Sequence, residues 1–261
     1  MGVIGMKNFL LREGFVATHQ FSDCTILIDA SGLIFTLLNS TFLDGKNSHF
    51  DGGNYREFEK KIINCFDKLK KCNIISIVVL DGATPLMKHE NKRSRSQNSL
   101  ENYRSLRQNQ VYYNHLAKDV FISVLNKLKI TVIQAPYEAD DVLALLSYRF
   151  ELPILTNDSD FVFFRYPVLS LIDLDETEVV QDEKNNKYYL ALRTVCPADI
   201  RERFHILNEG YFRLAPILIG NDIFRPLQDH FPKWRFFQKI QVSSRDKFFC
   251  IRSILRWFGY V

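Results

Sequence analysis

These 261 residues contain no long apolar run, no paired-cysteine motif and no glycine-rich phosphate loop. The apolar stretch 26–38 is too short to cross a bilayer and carries Asp29. The five cysteines (24, 65, 72, 196 and 250) are odd in number, widely scattered and free of any CxxC spacing. Structural zinc and a disulfide framework are therefore not expected, and the thiols read as reduced and mostly buried. The start, "MGVIGMKNFLLREGF", has no basic segment leading into an unbroken apolar run, so a secretory signal is not expected. Without Ser or Thr at position 6, myristoylation of Gly2 is not expected either. "MGVIGM" does not match G-x-G-x-x-G, and no strand precedes it. "DASG" (29–32) lacks the second aspartate that a haloacid-type phosphatase needs, and no Ser-His-Asp or Cys-His signature is present. The expectation left standing is a soluble intracellular protein, of the cytosol or nucleus, with no membrane partner.

What the sequence does have is an ordinary globular balance, 46% hydrophobic and 25% charged, with a formal charge of only +4. Its length allows one large α/β core with a C-terminal extension. "TILIDA" (25–30), "IISIVVLDG" (74–82), "ITVIQA" (130–135) and "LPILT" (152–156) read as short buried strands. Helical patterns follow them: "SGLIFTLL", then 56–71 with Phe58, Ile62, Phe66 and Leu69 at helical spacing, then 116–129 and 137–150. A short helix after "LPILT" precedes the apolar run "PVLSLIDL" (167–174). "QDEKNNKYY" (181–189) reads as a turn between two edge strands. Strands alternating with helices predict a mostly parallel sheet covered on both faces. The expected division is a core over 1–180, with a basic insertion at about 88–110, and a C-terminal part of the same domain over 181–261.

Charge placement says more than net charge. Carboxylates follow four successive predicted strands: Asp29, then Asp81, then Glu138 and Asp140, then Asp158 and Asp160. The carboxyl ends of strands in an open parallel sheet share one edge, where ligands bind. Two unit charges about 4 Å apart repel by about 4 kcal/mol at an effective dielectric near 20, so such a cluster needs raised pKa values or cations between its members. Oxygen ligands without His or Cys favour Mg²⁺ or Mn²⁺, and two such ions suit in-line attack on a phosphodiester. The plainer alternative stays open for each acid alone: a carboxylate in the first turn of a helix complements its dipole, and Asp158 is a natural N-cap.

In order along the chain, "MGVIGM", "ILIDASGLIF", "VVLDGATPLMK", "PYEADDVLALLS", "TNDSDF" and "LIGNDIF" resemble the flap-endonuclease superfamily. The arrangement is most similar to its asteroid branch, which has a PIN-like nuclease fold. The resemblance covers residues 1 to about 165, returns at 218–224 and is weak elsewhere. It implies that Asp29, Asp81, Glu138, Asp140, Asp158 and Asp160 match the family's metal-binding acids, and that Asp222 matches a seventh. Position 140 is Asp where flap endonucleases commonly carry Glu; Asp141 matches no ligand and reads as solvated or capping. Gly2 matches a terminal glycine that approaches DNA. Phe35 matches a base-stacking aromatic, although its apolar helical setting favours the core. One departure stands out. "IFRPLQDHFPKWRFFQKI" after Asp222 has no glycine, where the family places a Gly-rich helix-two-turn-helix that grips duplex DNA.

Between 88 and 107, Lys88, Lys92, Arg93, Arg95, Arg104 and Arg107 outnumber two acids. A solvated polar helix is the plain reading. Lys88 and Arg95 are two helical turns apart, so they share a face, and this matches the family's gateway pair at the scissile phosphate. The remaining basic residues would follow a single strand's backbone. Taken together, the expectation is a structure-specific DNA endonuclease with two Mg²⁺ or Mn²⁺ ions. It would act as a monomer on single-stranded, overhang or branched DNA in repair, leaving a 5′-phosphate and a 3′-hydroxyl. An inactive nucleic-acid or protein scaffold and an RNA endonuclease remain as alternatives.

Overall fold

The computed structural model describes residues 2–3, 5–43, 54–84, 89, 93–94, 96–97, 101, 115–182, 185–220 and 247–260. Its centre is a sheet with five parallel strands, four from the predicted strand segments, β2 (Thr25–Asp29), β3 (Ile75–Leu80), β4 (Thr131–Gln134) and β5 (Ile154–Leu155), and a fifth, β6 (Val168–Leu169), from the apolar run 167–174. The order across the sheet is β1-β8-β6-β5-β2-β3-β4. Here β1 is Val16–Phe21 and β8 is Lys187–Val195, and β8 runs antiparallel to both β1 and β6. A short β7 (Val180–Asp182) pairs with the start of β8.

Each central strand sends alternate residues to opposite faces. Ile26, Ile28, Val78 and Leu80 join one buried cluster with α2 (Ala30–Leu43), α3 (Tyr55–Lys71) and α4 (His115–Lys127). Leu27 and Val79 join another, beneath α5 (Ala139–Phe150), with Leu143 and Phe161. Helix α3 shows how the local sequence secures this. The Asn54 side chain caps its start by accepting from the Glu57 amide at 3.1 Å, and Lys68, Lys70 and Lys71 lie in its last turn. Its apolar stripe of Phe58, Ile62, Phe66 and Leu69 is buried, each side chain contributing about 1.5–3 kcal/mol of transfer free energy.

The remaining elements form an aromatic wall beside the sheet. Its members are α1 (Met6–Arg12), α7 (Pro197–Arg203), α8 (Glu209–Ile219) and α9 (Lys247–Phe258), whereas α6 (Leu171–Glu176) buries Leu174 in the cluster with α2 and α3. Phe9, Phe204, Phe212, Ile251 and Phe258 fill the wall's core, with Phe9 and Phe204 stacked at 6.2 Å. Among the described residues no helix is long and apolar enough to cross a membrane.

Three features differ from the sequence expectation. Strand β1 is unannounced because Thr18, His19 and Gln20 are exposed, so the edge strand is held by its ladder to β8 rather than by apolar alternation. β8 is not an edge strand: its last residues, Thr194 and Val195, lie between β1 and β6. The run 167–174 is two elements, β6 and α6, divided at Ser170, whose extended backbone opens the helix.

Candidate metal centre

Asp29 is the last residue of β2, and Asp81 follows the last residue of the adjacent parallel strand β3. Gly82 lets β3 end this way. A Cβ there would collide with the Ala135 carbonyl and lie 2.7 Å from the Pro136 carbonyl oxygen. With only hydrogen at that position, the Gly82 amide donates to the Tyr137 carbonyl at 2.5 Å and the Ala83 amide to the Pro136 carbonyl at 3.1 Å. The loop before α5 is thereby fastened to the strand end. The fastening brings the helix start to Asp81, whose Oδ1 accepts from the Ala139 amide at 2.8 Å. The other oxygen, Oδ2, accepts from Ser31 Oγ in the first turn of α2 at 2.5 Å. Asp81 thus joins three elements. Lys118 of α4 donates to its backbone carbonyl at 3.0 Å.

Asp29 is buried. Its Oδ1 accepts from the Gly32 amide at 3.1 Å and its Oδ2 from Thr156 Oγ1 at 2.9 Å. Asp158 caps the 3₁₀ turn Ser159–Phe163, accepting from the Asp160 amide at 3.0 Å. The capping reading is realised for Asp158 but not for Glu138, which precedes α5 in extended conformation without a side-chain capping bond. The amino-terminal segment at Gly2 passes directly against this corner. Gly2 has φ +95°, and a Cβ on it would collide with Asp158 Oδ1; glycine is required both by the conformation and by the space.

The acids feel one another. Burial pushes Asp140 up to about 8, reinforced by the negative charges of Asp158, Asp29, Asp81 and Glu138. Burial also raises Asp29; its hydrogen bonds to Gly32 and Thr156 oppose the rise, and Asp81 and Asp158 add to it. The structure therefore brings Asp29, Asp81, Glu138, Asp140 and Asp158 into one electrostatic neighbourhood at the carboxyl edge of the sheet, with Asp160 next to Asp158 in the 3₁₀ turn. As the side chains stand, no three acids, histidines or cysteines among the described residues are close enough together to share an ion. Asp29 and Asp81 are instead turned onto neighbouring hydroxyls and amides. The donor set, oxygen throughout and crowded with like charge, fits a hard divalent cation.

Other sequence-predicted residues are placed as follows. Asp141 is exposed, as its solvated reading requires, and Arg93 is exposed. Lys88, Lys92, Arg95, Arg104, Arg107 and Asp222 lie outside the described residues. The core expectation for Phe35 is overturned: the ring is 51% exposed, because Leu33, Ile34, Leu37 and Leu38 take the buried stripe of α2. Ser31, Lys118 and Thr156 were missed. Ser31 and Thr156 had a legible signal, a hydroxyl two residues from an aspartate in "DAS" and "TND"; Lys118 had none.

Comparison with known proteins agrees with this architecture. The XPG N-terminal domain model matches residues 1–102. The single-strand DNA endonuclease ASTE1 of Danio rerio is 29% identical over 234 residues, covering 85% of this chain and 32% of the relative. Protein asteroid of Drosophila melanogaster is 28% identical over 194 residues, covering 71% of this chain and 22% of the relative. The chain thus spans a third or less of the length of these two relatives. The catalytic core of Rad2 in complex with DNA substrate superposes with a TM-score of 0.60 at 17% identity, over 98% of this chain and 81% of that one. That likeness shows a common fold, an α/β sheet flanked by helices. Over residues 1–102 the chain thus carries the pattern of an XPG N-terminal domain, and in sequence it is similar to the asteroid and ASTE1 proteins.

Proposed function

We propose that this chain is a divalent-cation-dependent, structure-specific endonuclease that hydrolyses phosphodiester bonds in DNA. The observation that carries the reading is the set of acids from four strand ends sharing one electrostatic neighbourhood, in which Asp140 rises to about 8. Without cations that arrangement costs stability. The ASTE1 relatives, named as single-strand DNA endonucleases, support the same reading.

Asp29, Asp81, Glu138, Asp140, Asp158 and Asp160, with Asp222, would hold two Mg²⁺ or Mn²⁺ ions. Bound there, the ions would ease deprotonation of the attacking water and stabilise the leaving oxygen. The chain's own residues do the rest. Ser31 and the Ala139 amide orient Asp81, and the Gly32 amide and Thr156 orient Asp29. Lys88 and Arg95 are proposed to neutralise developing charge on the phosphoryl oxygens. Arg93, with Lys92, Arg104 and Arg107, is proposed to follow the strand's backbone, Gly2 to approach it and the exposed Phe35 ring to stack on a base. Single-stranded, overhang or branched DNA is the proposed substrate, repair in the nucleus the setting, and one chain supplies every acid, so no second copy is needed.

The test is purified protein on labelled single-stranded, overhang and branched DNA, and on RNA of the same sequence, with Mg²⁺ or Mn²⁺. Asp81→Ala and Asp158→Ala serve as controls. Cation-dependent cleavage of DNA that both substitutions abolish is expected. Cleavage no faster than the variants' would favour the scaffold, and faster cleavage of RNA would reassign the substrate.

A further inference from the structure

One side chain stands between two of the acids and belongs to neither. Thr156 lies in the turn joining β5 to the 3₁₀ turn and is only 3% exposed. Its hydroxyl donates to Asp29 Oδ2 at 2.9 Å and accepts from the Asp158 amide at 3.0 Å. The direction of both bonds is fixed by chemistry. An amide N–H only donates, so the hydroxyl must accept from Asp158, and its single proton is left for the Asp29 carboxylate. One hydroxyl therefore sets the orientation of Asp29, at the end of one strand, relative to the backbone that carries Asp158, at the end of the next.

The surroundings hold that hydroxyl in place. Asn157 donates to Thr36 Oγ1 at 3.0 Å, and Thr36 donates to the Gly32 carbonyl at 2.9 Å. The Gly32 amide in turn donates to the other oxygen of Asp29. A closed polar loop of Thr156, Asn157, Thr36 and Gly32 thus grips Asp29 from both sides. Each carboxylate oxygen so held keeps a second lone pair free for a cation. Ser31 does a related task for Asp81, but it touches one acid rather than two.

We infer that Thr156 is a positioning residue for the divalent-cation site, fixing Asp29 and Asp158 together by its one hydroxyl. This rests on the proposed function above. Hydrogen bonds of this kind to metal-ligating side chains are worth about 10–100-fold in metal affinity. Thr156→Val keeps the shape and removes the hydroxyl, Thr156→Ser keeps the hydroxyl, and Ser31→Ala removes the single-acid contact.

The experiment is calorimetric titration of Mn²⁺ into each protein without substrate, with circular dichroism and a metal-free melt to show that each variant folds. Weakening of Mn²⁺ binding by about 10–100-fold in Thr156→Val is expected, with recovery in Thr156→Ser and a smaller loss in Ser31→Ala. Folded Thr156→Val that binds Mn²⁺ like the wild type, or more tightly, would overturn the inference while leaving the proposed function intact. A Thr156→Ser protein as weak as Thr156→Val would also overturn it, since the hydroxyl would then not be the cause. If the wild type binds no Mn²⁺, the proposed function itself fails and takes this inference with it.

Discussion

Two aspartates lie almost equally deep in this protein, and the fold treats them in opposite ways. Asp173, at 6% exposure in α6, receives the Arg193 side chain through Nε at 2.8 Å and Nη2 at 2.5 Å, and the Arg193 amide at 2.6 Å. Asp29, at 8% exposure, is held by a neutral amide and a neutral hydroxyl, while its charged neighbours are Asp81 and Asp158. A buried charge is tolerable when it is paired and hydrogen-bonded. Asp173 meets that condition from within the chain and ties α6 to β8. Among the described residues Asp29 meets only half of it, and the proposed cations would supply the other half.

The largest effect that would sharpen this contrast lies in catalysis. Asp81→Ala removes a carboxylate at which β3, α2 and α5 meet, and cleavage of single-stranded DNA with Mn²⁺ is expected to fall to background. Arg193→Ala, by contrast, is expected to leave cleavage chemistry in place and to lower unfolding free energy by about 3 kcal/mol. That is the low end for stranding a buried charge, because the guanidinium is half exposed. Equilibrium denaturation of both variants measures this. If Arg193→Ala unfolds like the wild type, the two aspartates are not so different.

A third test reverses the sign. Asp29→Asn removes an uncompensated charge, and with its oxygen on the Gly32 amide its NH2 can donate to the Thr156 hydroxyl, so the metal-free protein is expected to melt higher than the wild type. Added Mn²⁺ is then expected to stabilise the wild type more than the variant. A lower metal-free melting temperature for Asp29→Asn would break the comparison.

The last test is the pH dependence. The folded pKa of Asp140, about 8, lies above its ordinary 3.8. Between those values the folded state holds a proton that the unfolded state has released, so stability falls as pH rises through that window. The metal-free protein is expected to melt higher at pH 5 than at pH 8, and Asp140→Asn is expected to flatten that slope. Mn²⁺ should narrow the difference, because the cation favours the ionised acids that high pH provides. A metal-free profile that rises from pH 5 to pH 8 would contradict this account of Asp140.

The parallel strands and the helices packed on them were legible because buried apolar runs and the helical spacing in α3 are local signals. The acids at strand ends were legible for the same reason: a carboxylate directly after an apolar run marks the carboxyl edge before any coordinates exist. Strand β1 was not, since a polar edge strand is stabilised by its partner's backbone, which no local pattern records. Phe35 was misread because an apolar helix with residues buried at 33, 34, 37 and 38 gives no local sign of which remaining position turns outward.

The sequence alone therefore determined the four central strands β2 to β5 with their covering helices, and that negative charge gathers at the strand ends. Only the tertiary structure decided how that charge is held. It set Thr156 between Asp29 and Asp158, Ser31 and the Ala139 amide against Asp81, and Arg193 against Asp173. Those pairings join residues as far apart in the chain as 29 and 156, so they follow from strand order and register, which are set by the packing of the whole sheet.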